Sequence, residues 1–113
     1  GDQRRAIEHL RCAWAVNPRE SSTANLIGSC YQDIYSKSCA VADLDEAERW
    51  CKRAYALDKD DPRAPRASAF NLASVYLLKC DADAAIPLLE AVLATNPQEV
   101  RAKRLLDLAR SMM

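Results

Sequence analysis

Glycine is almost missing from this chain. Of 113 residues only Gly1 and Gly28 are glycine, so the positive-φ turns that join short strands have little to be built from. Half of the residues are hydrophobic, with alanine abundant among them, which favours long helices over a sheet. An all-α chain is expected, of a length that suits one domain with a modest core and much exposed surface.

Apolar residues at three- and four-residue spacing mark out six helices. Ala6, Ile7, Leu10, Ala13 and Trp14 form one stripe over 3–16, which stops at Asn17 and Pro18. A second helix over 21–37 carries Ala24, Ile27, Gly28, Tyr31 and either Ile34 or Tyr35 on a common face. Asp43 then reads as an N-cap, with Glu46 closing a capping box before Leu44, Ala47, Trp50, Cys51, Ala54 and Leu57. The run Asp58 to Asp61 followed by Pro62 is a stop and a restart, with Pro62 and Pro65 in the first turn of a fourth helix. That helix presents Ala69, Leu72, Ala73 and Tyr76 and ends near Lys79, and Asp81 or Asp83 caps the next. The fifth, over 84–95, holds Pro87 near enough to its start to be tolerated, and Asn96 and Pro97 end it. The sixth begins near Gln98 with Ala102, Leu105, Leu106, Ala109 and Met112 as its stripe and Arg101, Lys103, Arg104 and Asp107 elsewhere.

Short connections force successive helices to pack as antiparallel neighbours, and the alternation of two helix types invites a search for internal repetition. Within 66–99, Leu72-Ala73, Tyr76, Ala85, Leu89, Val92 and Pro97 stand at the spacings of the repeat of roughly 34 residues that defines the tetratricopeptide family. Ile27-Gly28, Tyr31, Ala47, Cys51 and Ala54 repeat the theme, and Ala6, Leu10, Ala13 and Pro18 supply a second half alone. The chain therefore resembles a tetratricopeptide repeat protein over essentially its whole length, with Val92 standing where the family usually has alanine. The resemblance implies a right-handed α-α superhelix of antiparallel hairpins, about six helices in a single domain over 1–113. Its parts are half a repeat over 3–18, a lengthened repeat over 21–65, a full repeat over 66–99 and a capping helix over 100–113.

The physical sense of the motif is close approach. Gly28 and Ala73 let the first helix of each pair sit tightly on the second, Ala47, Ala54 and Ala85 do the same in return, and Tyr31, Tyr76, Leu10 and Leu89 fill the gaps between pairs. The middle repeat is longer than the family length by 7 residues between Tyr31 and Ala47 and by 4 after Asp61. These are about two helical turns and about one, so they can lengthen helices without rotating the apolar stripes. The extension over 36–42 is either a longer hairpin tip or part of a partner site.

Chemistry is sparse. His9 is the sole histidine and has no ligand or nucleophile partner at a recurring spacing. Asp58, Asp60 and Asp61 with Lys59 lack the glycine and following glutamate of a calcium loop, and helix capping accounts for them. Trp14, Tyr55 and Leu93 occupy equivalent places and are assigned to packing, as is Cys51; Trp50 adjoins that set, partly exposed, with packing favoured over a binding role. Cys12, Cys30, Cys39, Cys51 and Cys80 show no CxxC spacing and point to a reducing compartment, with Cys39 and Cys80 near hairpin tips at the same end of neighbouring units. No catalytic, cofactor or metal site is expected. Lys plus Arg equal Asp plus Glu at 16 each, which removes the charge excess that drives binding to nucleic acid.

The resemblance places function on the concave face formed by the first helices of successive pairs, as a protein-protein interaction module or assembly scaffold. By it, Asn25, Ser29 and Gln32 share a groove with Phe70, Asn71, Ser74 and Leu77. Asn71 is placed to hold a ligand backbone, and Arg101 and Arg104 to meet an acidic side chain or C-terminus. The two-carboxylate clamp of family members that bind chaperone C-termini is matched poorly, because Asn25, Ser29 and Leu105 fall where other clamp residues belong. An RNA-binding helical repeat is the alternative of a different class.

The apolar runs fall far short of the roughly 20 residues that cross a bilayer, and no signal-peptide pattern opens the chain. A cytoplasmic segment without direct membrane contact is expected. Gly1 in place of a starting Met suggests an excised fragment, and the cytoplasmic part of a membrane-anchored secretion or assembly component is one natural setting. A first helix without its partner should expose Ile7, Leu10 and Trp14, inviting self-association or a covering helix.

Overall fold

Helices form where the apolar spacing places them. In the computed structural model, which describes residues 2–59 and 67–112, they are α1 (Asp2–Val16), α2 (Ser21–Ser38), α3 (Val41–Asp58), α4 (Ala67–Leu78), α5 (Ala82–Thr95) and α6 (Val100–Ser111). Among the described residues there is no strand, and no helix is long and apolar enough to cross a membrane. Each helix packs on the next in sequence, and α2, α4 and α6 also touch in series, so α4 meets α2, α3, α5 and α6. The described body measures 37 × 34 × 19 Å, and its thin dimension is the depth of two helix layers at the usual spacing of about 10 Å.

Small residues set those contacts. Ala47, Ala54, Ala73 and Ala85 are fully buried, and Gly28 lies so close to α3 that a Cβ built on it would fall 2.5 Å from Cys51 Sγ. Ile27, Leu89 and Val75 fill the space beside them without solvent exposure. The added length of the middle hairpin goes into helix: α2 and α3 have 18 residues each, against 12 in α4 and 14 in α5. The extra residues after Asp61, the caps at Asp60 and Asp61 and the prolines Pro62 and Pro65 lie outside the described residues.

The joints have their own chemistry. Asn17-Pro18-Arg19-Glu20 and Asn96-Pro97-Gln98-Glu99 make the same turn. Each Asn side chain accepts from the backbone N–H two residues on, at 3.3 and 3.2 Å, and each Asn carbonyl accepts from the Glu N–H, at 3.3 and 3.1 Å. This turn moves the start of α6 from Gln98 to Val100, with Glu99 Oε1 accepting from Arg101 N. At the tip of the long hairpin, Asp43 is not the N-cap. Cys39 enters the left-handed region at φ 55° and reverses the chain at once, so α3 starts two residues before Asp43 and the N-cap position is Ala40. Asp43 is instead buried in the first turn, accepting from Ser38 Oγ at 2.9 Å and lying 3.6 Å from Arg4. Cys80 takes the same left-handed form at φ 62°, and Asp81, of the two candidates, caps α5 through Ala84 N.

Two apolar expectations change. The face of α1 that was to lie open is turned inward: Ile7 is 5% exposed, and Leu10 and Trp14 pack half-buried against the core. Trp14 meets Trp50 edge-on at 5.5 Å, and Trp50 is a packing residue, buried beneath the guanidinium groups of Arg53 and Arg11 with no partial exposure of the kind expected. That packing removes the reason for two copies to pair through Ile7, Leu10 and Trp14. Ala13 and Met112, by contrast, leave their expected stripes and are exposed.

Lys79 ties α4 to α3, with Nζ 2.7 Å from Asp45 and 3.0 Å from Glu48, while Lys52 reaches Glu48 at 3.1 Å. Partial burial alone would raise the Glu48 pKa, but hydrogen bonds from Lys79 and Lys52 outweigh it and hold the carboxyl below the ordinary range. Its stabilising contribution is therefore present above the ordinary glutamate pKa and is lost as pH falls through the lowered value.

Gly28→Ala should lose up to about 2 kcal/mol in urea unfolding, because overpacking of about 1–3 kcal/mol offsets or exceeds the helix-propensity gain of about 1 kcal/mol. With Cys51→Ala already in place, the same change should cost nothing or stabilise. Glu48→Gln should cost about 0.5–1 kcal/mol at neutral pH. The gap from the unsubstituted chain should close on acidification below the glutamate range and shrink in about 1 M salt.

Candidate functional site

Asn25, Ser29 and Gln32 recur at four and three residues along α2, so they share one side of that helix. Because α2 and α4 touch, that side meets Asn71. Asn71 Nδ2 donates to Asn25 Oδ1 at 2.9 Å and to Ser29 Oγ at 3.0 Å, while Gln32 Nε2 donates to the Asn71 carbonyl at 3.0 Å. All four residues are half-buried. Asn71 Oδ1 and the Asn25 amide nitrogen have no further partner among the described residues, so a donor and an acceptor remain for another chain.

Phe70 extends this cluster toward α6. Its half-buried ring lies under the Arg101 guanidinium, with Cζ 4.9 Å from the ring centre. Arg101 Nε also contacts Glu99 Oε1 at 3.3 Å. The hydrogen bond from the Arg101 side chain, and then that from its backbone N–H, hold the Glu99 carboxyl below its ordinary pKa. Ser74 spends its hydroxyl on the Phe70 carbonyl at 3.1 Å, within α4. Arg104 is exposed on α6.

Apart from Arg104, which makes no bond with the others among the described residues, the predicted residues fall into two groups. Asn25, Ser29, Gln32, Phe70, Asn71 and Arg101 form one strip across α2, α4 and α6, with Ser74 beside it. Leu77 is only 9% exposed and belongs to the core, because α4 has helices on several sides and is apolar on more than one face. Glu99 was not anticipated, although an acidic residue just ahead of the helix carrying Arg101 is the available signal.

Elsewhere the chemistry is muted. His9 is exposed, and among the described residues no three His, Cys, Asp or Glu side chains are grouped to hold a metal. The five cysteines are free. Burial pushes the Cys51 thiol up to about 12 despite the hydrogen bond from Gln32 that lowers it. Burial, and then the neighbouring charge of Asp33, raise Cys30. Two clefts, of about 450 and 190 Å³, are lined by α1 and α2 residues such as Arg4, Lys37 and Tyr31, away from the strip. Compared with known proteins, the chain matches no family model and no curated relative.

Asn71→Ala should lower stability by about 1–2 kcal/mol, because it leaves Asn25 Oδ1 and Ser29 Oγ without their donor. Ser74→Ala, which removes only a bond within α4, should stay within about 0.5 kcal/mol. Denaturant midpoints of the two variants measured side by side check the difference.

Proposed function

We propose that this chain is a protein-interaction module of the tetratricopeptide type, which holds a peptide or protein partner across α2, α4 and α6. The observation that carries the reading is the continuity of the strip. Asn71 is bonded across to α2, and Phe70 beside it is covered by the exposed Arg101 from α6, so three helices contribute to one surface that is half-buried on α2 and α4. Packing of each helix on its successor and burial of Gly28, Ala47, Ala54, Ala73 and Ala85 support the repeat architecture.

A surface of this kind has what partner recognition needs. Amide groups with spare hydrogen-bonding capacity can grip a backbone, an aromatic ring gives an anchor, and an arginine supplies charge at one end. Half-burial keeps the α2 and α4 side chains of the strip ordered before the partner arrives, which lowers the entropic cost of association.

Affinity capture from the native source, followed by direct titration with the captured protein, tests this. The unsubstituted chain and an Arg49→Ala control, altered on exposed α3 surface, should bind alike. Phe70→Ala combined with Asn71→Ala should weaken binding by about tenfold or more, with circular dichroism confirming that the variant is folded. A partner that binds the double variant as tightly as the parent would remove the strip from consideration.

A further inference from the structure

α6 has apolar surface that the core does not use. Ala102, Leu106 and Ala109 are buried, yet Leu108 is 50% and Met112 40% exposed, and Leu105 is only half-buried. Arg101, Leu105 and Leu108 on α6 and Met112 at its C-cap are separated by four, three and four residues, the spacing of a coiled-coil seam. Arg101 stacks on Phe70, so this seam opens beside the strip on α4.

The seam is charged at one end only. Arg101 is held from two sides, by the Phe70 ring and through Nε by Glu99, while its two Nη atoms have no other partner among the described residues. Its side chain is 73% exposed, and stacking on the ring turns the forked edge toward solvent, where a carboxylate can reach it. Arg104 lies one turn away, exposed and without an ion pair among the described residues.

We propose that the seam Arg101, Leu105, Leu108 and Met112 receives an amphipathic helix of the partner protein, with leucine-type residues at heptad spacing and a carboxylate at the end that meets Arg101. The proposal rests on α2, α4 and α6 being the binding face, and it names the class of ligand that the α6 end of that face takes. Charge argues against a second copy as occupant. Four cationic residues against the single Asp107 on α6 would set two such helices in repulsion.

The test uses a display library of helical peptides selected against the whole chain. Enriched peptides should share a leucine-type heptad with Asp or Glu at one end. Both Arg101→Ala and Leu108→Ser should weaken them by about tenfold, and Arg101→Lys should recover part of the loss because it keeps charge without the fork. Enrichment of proline-broken or basic peptides, or indifference to Arg101→Ala and Leu108→Ser, overturns the proposal. If such peptides still lose binding to Asn71→Ala, the strip reading stands and only the α6 helix site falls; if they ignore Asn71→Ala as well, both fall. Concentration-dependent dimerisation abolished by Leu108→Ser would make a second copy the occupant and would also overturn it.

Discussion

The structure depends on backbones coming close together. Gly28 has room for no side chain against Cys51, and the neighbouring α3 residue it approaches is the small, fully buried Ala47. The helix separation fixed there sets the reach of everything on the same side of α2. A wider α2–α3 pair would shift α2 relative to α4, and the 2.9 and 3.0 Å bonds from Asn71 to Asn25 and Ser29 tolerate little displacement. The polar strip is thus a product of the same tight packing that makes the core, and Gln32, which bonds both Cys51 on α3 and the Asn71 carbonyl on α4, belongs to both.

Burial of polar groups follows a consistent logic. Every buried side-chain nitrogen or oxygen among the described residues has a hydrogen-bond partner. Ser68 donates to Asp58, and Asp43 accepts from Ser38. The strip differs in being only half-buried, with amide groups that still have bonding capacity to spare. Fully satisfied polar pairs stiffen a fold, whereas partly used ones at a surface can exchange water for a partner at modest cost.

The helices were legible because their apolar residues repeat with the helical period, and that signal survives whatever packs against them. The ends were less so. Asp43 has the residue type and spacing of a cap, yet the chain turns earlier because Cys39 adopts a left-handed conformation that its identity gives no reason to expect. The fate of Leu77 follows from α4 being surrounded, a property of the assembled layers and not of the local spacing. In the same way, Asn25, Ser29 and Gln32 could be placed on one face from their spacing, but their bonds to Asn71 depend on a helix separation that no single segment encodes.

The two Asn-Pro-x-Glu joints give the architecture an unexpected modularity. The turn from α1 into α2 and the turn from α5 into α6 use the same four-residue device with matching hydrogen bonds. A break made at one joint and a graft made at the other would therefore meet the same local geometry. Whole hairpins could be duplicated, removed or reordered by recombination at these two seams without inventing a new corner, a route by which such a stack can change length while its internal contacts stay the same.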